Sequence, residues 1–110
     1  MFIIKDKNGV ELCKAQNISE TYNALTHVAE FMKTQLFITV ESDRANGVTL
    51  ANIVKKFTDA DLSELTILDE TGNAIDTYTE YTYILTITKT LQNGGMTIDI
   101  TLVTTPDPAE

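Results

Sequence analysis

The sequence predicts an α+β fold, in which a mostly antiparallel β-sheet carries one or two helices packed on one face. Apolar and polar residues alternate through much of residues 63–105, as they do in half-buried strands. Residues 50–57 have the apolar spacing of a helix instead. A length of 110 residues, 43% of them hydrophobic, suffices for one core. We therefore expect a single domain over residues 1–105 and a short acidic, proline-containing tail at 106–110.

The chain begins with a pattern typical of a β-hairpin. Apolar residues at 1–5 and 10–15 flank the dipeptide Asn8-Gly9. Asn-Gly accepts positive φ at both central positions of a tight turn, so it favours a hairpin at this point. We expect two strands here, at 1–5 and 10–15.

Residues 17–35 carry a mixed signal. Apolar residues recur there in steps of four and three, at Ile18, Tyr22, Leu25, Ala29, Met32 and Leu36. This spacing predicts a helix, with Asn17 as its N-cap and Glu20 as the capping-box partner. Several residues of the segment are mediocre helix formers, so a strand-and-loop structure for 24–32 remains open.

A strand and a short helix are predicted next. Residues 36–41 are β-branched and aromatic, as in a strand, and a polar loop follows at 42–47. Thr49 can cap a helix that places its apolar side chains on one face, at Leu50, Ile53, Val54 and Phe57. A helix this short is not stable alone, so it must pack on the sheet.

The C-terminal part predicts a long hairpin around Asn93-Gly94-Gly95. In its first strand, one side is expected to hold Tyr81, Tyr83, Leu85 and Ile87. In its second strand, one side is expected to hold Met96, Ile98, Ile100 and Leu102. The other side of the two strands is rich in threonine, and we call it the threonine face: Thr82, Thr86, Thr88, Thr97 and Thr101.

The net charge of −8 limits the classes of partner. After Phe57 the only basic residue is Lys89, so the acidic surplus lies in the C-terminal half. Direct binding to nucleic acid is disfavoured, because it needs cations that replace phosphate counterions. No apolar run approaches the ~20 residues that span a bilayer. Lys5 follows the first apolar residues at once, so we expect no signal peptide and a cytoplasmic site of synthesis.

Catalytic and metal chemistry find little support in the composition. Cys13 and His27 are the only residues of their types, so a multi-ligand structural zinc site within one chain is excluded. Cys13 lies in a predicted strand, where a buried thiol is expected, and His27 lies off the predicted apolar stripe. The acids Asp59, Asp61 and Glu64 lack the glycine and distal glutamate of a calcium loop. We therefore expect a non-enzymatic protein without cofactor or metal.

Protein-protein contact is the function that the pattern favours. Tyrosine is enriched at interface centres, and a flat, weakly charged strand surface is compatible with homo-oligomer formation or strand addition. The candidate interface residues are Tyr78, Tyr81, Tyr83, Thr86, Thr88, Thr97 and Thr101. The alternative is a small acidic inhibitor that blocks a basic nucleic-acid-binding cleft of a host protein, such as a defence nuclease. Its phosphate-mimicking residues would be Asp59, Asp61, Glu64, Asp69, Glu70, Asp76 and Glu80.

The order of these patterns resembles a group of phage proteins. The likeness covers about residues 48–103: the short helix at 50–57, residues 62–67, the Gly72 turn within 69–75, a tyrosine-rich strand and a terminal Ile/Thr strand. In this order the chain is similar to small, acidic, β-rich proteins encoded in phages and prophages of Gram-positive bacteria. The resemblance implies a non-enzymatic protein that is a virion component or an accessory protein.

Overall fold

The computed structural model describes residues 1–22 and 34–104. In these two ranges the strands are β1 (Phe2–Lys5), β2 (Glu11–Ala15), β3 (Asn17–Tyr22), β4 (Thr34–Glu41), β5 (Leu65–Leu68), β6 (Ala74–Tyr78), β7 (Tyr83–Gln92) and β8 (Gly95–Val103). A 3-10 turn at Arg44–Asn46 and the helix α1 (Leu50–Asp59) lie between β4 and β5. The strands predicted at 1–5, 10–15 and 36–41 are confirmed. The predicted tail at 106–110 and His27 lie outside the described residues.

The described strands form two antiparallel four-stranded sheets. The first sheet has the order β2-β1-β5-β6, and the second sheet has the order β3-β4-β8-β7. Their apolar faces meet in one core, since buried residues from both, such as Ile4 and Ile100, belong to the same cluster. The predicted α+β fold with antiparallel pairing is confirmed, although it has two sheets. A second sheet covers the apolar face of the first more fully than a single short helix can.

The chain passes from the first sheet to the second at Gln16. The backbone N–H of Gln16 donates to Thr39 O over 2.8 Å, and β3 then pairs with β4 along its whole length. The helix predicted from residue 17 is therefore wrong for residues 17–22 and 34–35, which are strand. Ile18 and Tyr22 share a face of β3 as well, because a spacing of four fits both the helical and the strand period, and Leu36 lies on that face opposite Glu20. Residues 23–33, including the whole of the alternative at 24–32, lie outside the described residues.

The turn between β1 and β2 depends on Asp6 and Gly9. The N–H of Gly9 donates to Asp6 O over 3.0 Å, and the N–H of Asp6 donates to Val10 O over 3.0 Å. Gly9 has φ of 79°, in the left-handed region, whereas no described non-glycine residue has positive φ. The expectation that Asn8 also takes positive φ is therefore wrong. A longer loop that ends in a left-handed glycine replaces the two-residue turn.

The same turn recurs between β5 and β6, at Asp69 and Gly72. The N–H of Gly72 donates to Asp69 O over 3.0 Å, and Gly72 has φ of 90°. The two turns differ in their surroundings. Asp6 is buried and its second carboxylate oxygen accepts from the backbone N–H of Asp61 over 3.1 Å, whereas Asp69 bonds only within its own turn. Asp6 thus joins the first hairpin to the segment after α1.

Helix α1 begins at the predicted cap. The side chain of Thr49 accepts a hydrogen bond from Asn52 N over 3.3 Å. Ile53 and Phe57 are buried, and α1 packs against β2 of the first sheet and β7 of the second. Val54, which was expected on the buried face, is 39% exposed. The helix therefore covers an edge of the sandwich with a narrow apolar stripe.

The β7–β8 hairpin contains an irregularity that changes the predicted faces. Ile84 pairs with Leu102 and Thr86 pairs with Thr101, so the register shifts across Leu85. This bulge inserts one extra residue and reverses the alternation. Tyr83 consequently lies on the same side as Thr86, and the prediction that Tyr83, Leu85 and Ile87 share one face is wrong.

Candidate interaction surface

The outer face of the second sheet brings together four residues of the predicted threonine face. Thr86 on β7 lies opposite Thr101 on β8, and Thr97 lies on the same side of β8. Thr88 follows in the same row of β7 and lies opposite Asp99. Along β8, Thr97, Asp99 and Thr101 alternate with the inward-facing Ile98, Ile100 and Leu102, so they lie on the outer side. The β7 residues paired with them lie on the same side. Sequence alternation was sufficient to predict this grouping.

Asp99 is the carboxylate in the middle of this outer face. Its Oδ1 accepts a hydrogen bond from Thr39 Oγ1 over 3.0 Å, and its Oδ2 accepts from Thr97 Oγ1 over 3.4 Å. The two hydroxyl donors, one on β4 and one on β8, stabilise the half-buried carboxylate. They also fix its position on the outer face of the sheet.

The four threonines differ in how much surface they offer. Thr86 and Thr88 are exposed and Thr97 is half-buried, whereas Thr101 is only 8% exposed. Thr101 lies on an inner strand, between Phe37 of β4 and Thr86 of β7. Its selection as an interface residue is therefore corrected, because neighbouring strands cover it on both sides.

The three candidate tyrosines occupy different environments. Tyr81 is fully buried, and its hydroxyl donates to Glu20 Oε2 over 2.5 Å. Burial and the Glu20 carboxylate raise the pKa of Tyr81. Tyr78 is half-buried and meets Tyr81 edge-to-face, with ring centroids 5.6 Å apart, and burial raises the pKa of Tyr78 to about 12. Tyr83 is 44% exposed, on the outer face of the second sheet.

Tyr81 therefore belongs to the core, and its place among the interface candidates is a correction. Its aromatic body packs inside the sandwich while its hydroxyl joins the segment before β7 to β3. Sequence reasoning could not find this role, because the acceptor Glu20 is separated from Tyr81 by 61 positions. Tyr83, Thr86 and Thr88 are the predicted residues that remain exposed together.

The free edge of β7 is the feature of this surface that the sequence did not identify. β7 is the last strand of the second sheet, and within the described residues no strand pairs with its other side. All of its residues are exposed except the half-buried Ile87 and Lys89. The large apolar side chains exposed on this strand are Tyr83, Ile84, Leu85 and Leu91. Lys89 is the only charged residue of the strand.

The predicted acidic surface is divided between two ends of β5. Asp61 and Glu64 precede the strand, whereas Asp69 and Glu70 follow it. The four residues of β5, about 13 Å of extended chain, separate these two groups. The other three acids lie at the end of α1 (Asp59), on β6 (Asp76) and just after β6 (Glu80).

Several of these carboxylates are engaged in local contacts. Asp59 Oδ2 accepts from Lys55 Nζ over 3.0 Å, and Glu70 pairs with the ammonium group of Met1. The Ser63 hydroxyl lowers the pKa of Asp61, and the Thr71 hydroxyl lowers the pKa of Asp69. These contacts explain why the acids collect at turns and helix ends.

The environment of Cys13 disfavours a reactive thiol. Cys13 lies on β2 and is buried, as predicted, and burial together with the Glu11 carboxylate raises its pKa to about 12. A cavity of about 750 Å³ adjoins it, between β2, the end of β4 and α1. At neutral pH the thiol is protonated, so it is a poor nucleophile. In the described part of the chain, no cluster of three His, Cys, Asp or Glu residues could hold a metal ion.

Within residues 1–22 and 34–104, no helix has the length and apolarity needed to cross a bilayer. Comparison of the chain with known protein families, with curated proteins and with solved structures finds no match. The geometry of the surface itself is therefore the basis for a proposed function.

Proposed function

We propose that this protein is a non-enzymatic structural or assembly protein of the phage type, which acts by self-association and by contacts with other proteins. The observation that carries the proposal is the free edge of β7. An edge strand presents a row of backbone hydrogen-bond groups, and long, flat, apolar edges are usually blocked or covered in proteins that stay apart. β7 has ten residues, and Lys89 is its only charge.

The surface beside this edge supports the same function. The exposed Tyr83, Thr86 and Thr88 continue from the edge onto the outer face of the second sheet. A tyrosine supplies a large apolar body with a polar tip, and the threonines are weakly hydrated compared with charged side chains. A partner could therefore contact backbone groups and side chains in one continuous region.

The acidic-inhibitor alternative has less support from the geometry. A phosphate mimic needs its carboxylates in a row, because it competes for a cleft that follows a nucleic-acid backbone. Asp61 and Glu64 lie at the opposite end of β5 from Asp69 and Glu70, and Glu70 is paired with Met1. We therefore take self-association as the function to test first.

The experiment compares charge insertion on two edges. Thr86 on β7 and Thr77 on β6 are both exposed threonines on edge strands, one in each sheet. Sedimentation equilibrium of the wild type, from low-micromolar to near-millimolar concentration, should reveal dimers or larger assemblies. Thr86→Glu should weaken association about tenfold or more, because a partner that covers the new carboxylate removes its hydration without supplying a counter-charge. Thr77→Glu is the matched control and should leave association unchanged.

Two results would contradict the proposal. A wild type that stays monomeric over the whole concentration range would remove self-association. Equal loss of association in Thr86→Glu and Thr77→Glu would mean that added negative charge, and not the β7 region, determines the effect.

A further inference from the structure

The direction of the backbone groups of β7 follows from its turn. Gln92 pairs with Gly95 across the two-residue turn Asn93-Gly94, and residues that flank such a turn form a hydrogen-bonded pair. Hydrogen-bonded and non-bonded pairs then alternate along the ladder. Thr90 and Thr88 therefore direct their N–H and C=O groups toward β8. Lys89 and Ile87 direct theirs toward the free edge.

An extended strand is the occupant that this edge fits. Only a strand places donors and acceptors at the matching spacing, so that each outward N–H meets a carbonyl. β7 of a second copy is such a strand, and it is already ordered by nine register pairs with β8. A disordered peptide would lose more conformational entropy on binding than this preformed strand.

The charge distribution favours a second copy at this place. The chain carries a net charge of −8, so most surfaces of two copies repel each other. Residues 81–98 contain no Asp or Glu and include all of β7. Two copies that meet at β7 therefore bring together strands that carry no acidic side chain, although Asp59 and Asp61 lie near Tyr83 and Ile84 at one end of the contact.

The position of Lys89 disfavours one register, and the threonines favour another. A pairing centred on Lys89 would bring two lysines directly opposite each other, which is unfavourable. Moving the centre by one residue to Thr88 places Lys89 opposite Ile87 of the second copy, so the outward-directed groups still match. The same shift places Thr88 opposite Thr88 and Thr86 opposite Thr90. Cross-strand threonine pairs are favourable.

We infer that the partner of this surface is a second copy of the chain, whose β7 pairs antiparallel with β7 of the first around Thr88. This inference rests on the proposed function and specifies the contact. The two second sheets would become one eight-stranded sheet, because each has four strands in the order β3-β4-β8-β7. The exposed side chains of Tyr83, Leu85 and Leu91 would lie beside the new junction.

Cysteine cross-linking tests the register directly. In Thr88→Cys the two new thiols lie opposite each other, within the distance that a disulfide can bridge. In Thr90→Cys the new thiol lies opposite residue 86, and the two cysteines are about 13 Å apart, too far for a disulfide. Under mild oxidation we expect a covalent dimer from Thr88→Cys and none from Thr90→Cys. The native Cys13 is buried and does not compete.

A mixture of two cysteine variants tests the same register in a second way. Thr86→Cys and Thr90→Cys should not cross-link separately, but mixed together they should form a disulfide between the two variants. Absence of the Thr88→Cys product while the wild type still associates would overturn the inferred pairing. In that case the proposed function would stand with a different contact.

A proline variant tests the backbone contribution. Lys89→Pro removes an outward N–H, and edge strands tolerate proline where the N–H faces solvent. The matched control Lys89→Thr removes the charge and keeps the N–H. We expect Lys89→Pro to be monomeric with an unchanged circular dichroism spectrum, and Lys89→Thr to associate at least as well as the wild type. Association of a folded Lys89→Pro at wild-type strength would overturn the inference.

Discussion

β7 and β8 are paired from Tyr83–Val103 to Gln92–Gly95, but they lie in different environments. β8 is flanked by β4 and β7, and Ile98, Ile100 and Leu102 are fully buried. Among the described strands β7 pairs with β8 alone, and its equivalent residues are exposed or half-buried. Two strands with similar alternating sequences thus differ in what they contribute. β8 stabilises the fold, whereas β7 offers a surface.

The comparison teaches that position in the sheet, more than composition, decides the role of a strand. Both strands are rich in Ile, Thr and Leu. A central strand has both of its hydrogen-bonding edges satisfied and its apolar side chains covered by the opposing sheet. An edge strand leaves half of its backbone groups available. Stability and association should therefore respond differently to changes on the two strands.

The cross-strand pair Ile87–Ile100 should give the largest difference in stability between a β7 variant and a β8 variant. Ile100→Ala removes a fully buried side chain from the core, and we expect it to lower the free energy of unfolding by about 3–4 kcal/mol. Ile87→Ala truncates a half-buried side chain, so a loss of about 1–2 kcal/mol is expected. Urea unfolding at low protein concentration measures both values without a contribution from association. Equal losses would mean that β7 is covered as fully as β8.

Local patterns predicted much of this fold, because each depends on residues close in sequence. Thr49 caps α1, Gly9 marks the first hairpin, and alternation in β8 identified its buried side. The helix expected from Asn17 failed because Ile18 and Tyr22 are spaced by four, which suits a strand face as well as a helix. Such ambiguity is decided by pairing with β4, which the local sequence does not encode.

The candidate surface was predicted only in part, for reasons of long-range order. Alternation correctly grouped Thr86 and Thr88, but the bulge at Leu85 moved Tyr83 to their side. The burial of Tyr81 depends on β3, which is distant in the chain. The edge position of β7 depends on the order of four strands. No periodicity within one strand reports how many neighbours that strand has.

The rung that joins Thr88 and Asp99 should give an intermediate difference. Asp99→Ala removes the acceptor of the Thr39 and Thr97 hydroxyls, so we expect a loss of about 1–2 kcal/mol in the free energy of unfolding. Thr88→Ala changes an exposed side chain and should stay within about 0.5 kcal/mol. Thermal unfolding of the two variants and the wild type checks both values. A larger loss in Thr88→Ala than in Asp99→Ala would reverse the assigned roles.

The rung that joins Leu91 and Met96 should give the smallest difference, because near the turn both strands are exposed. Leu91 is 69% exposed and Met96 is 47% exposed, so neither side chain contributes much to the core. Leu91→Ser and Met96→Ser should each change the free energy of unfolding by less than about 0.5 kcal/mol.

The two variants should nevertheless differ in how strongly they self-associate. Leu91 lies on β7 opposite Leu85 in the Thr88-centred pairing, whereas Met96 lies on β8, one strand farther from the contact. Sedimentation equilibrium should therefore show weaker association for Leu91→Ser than for Met96→Ser, while a loss of stability in either variant would indicate that the turn end is packed against the body of the protein.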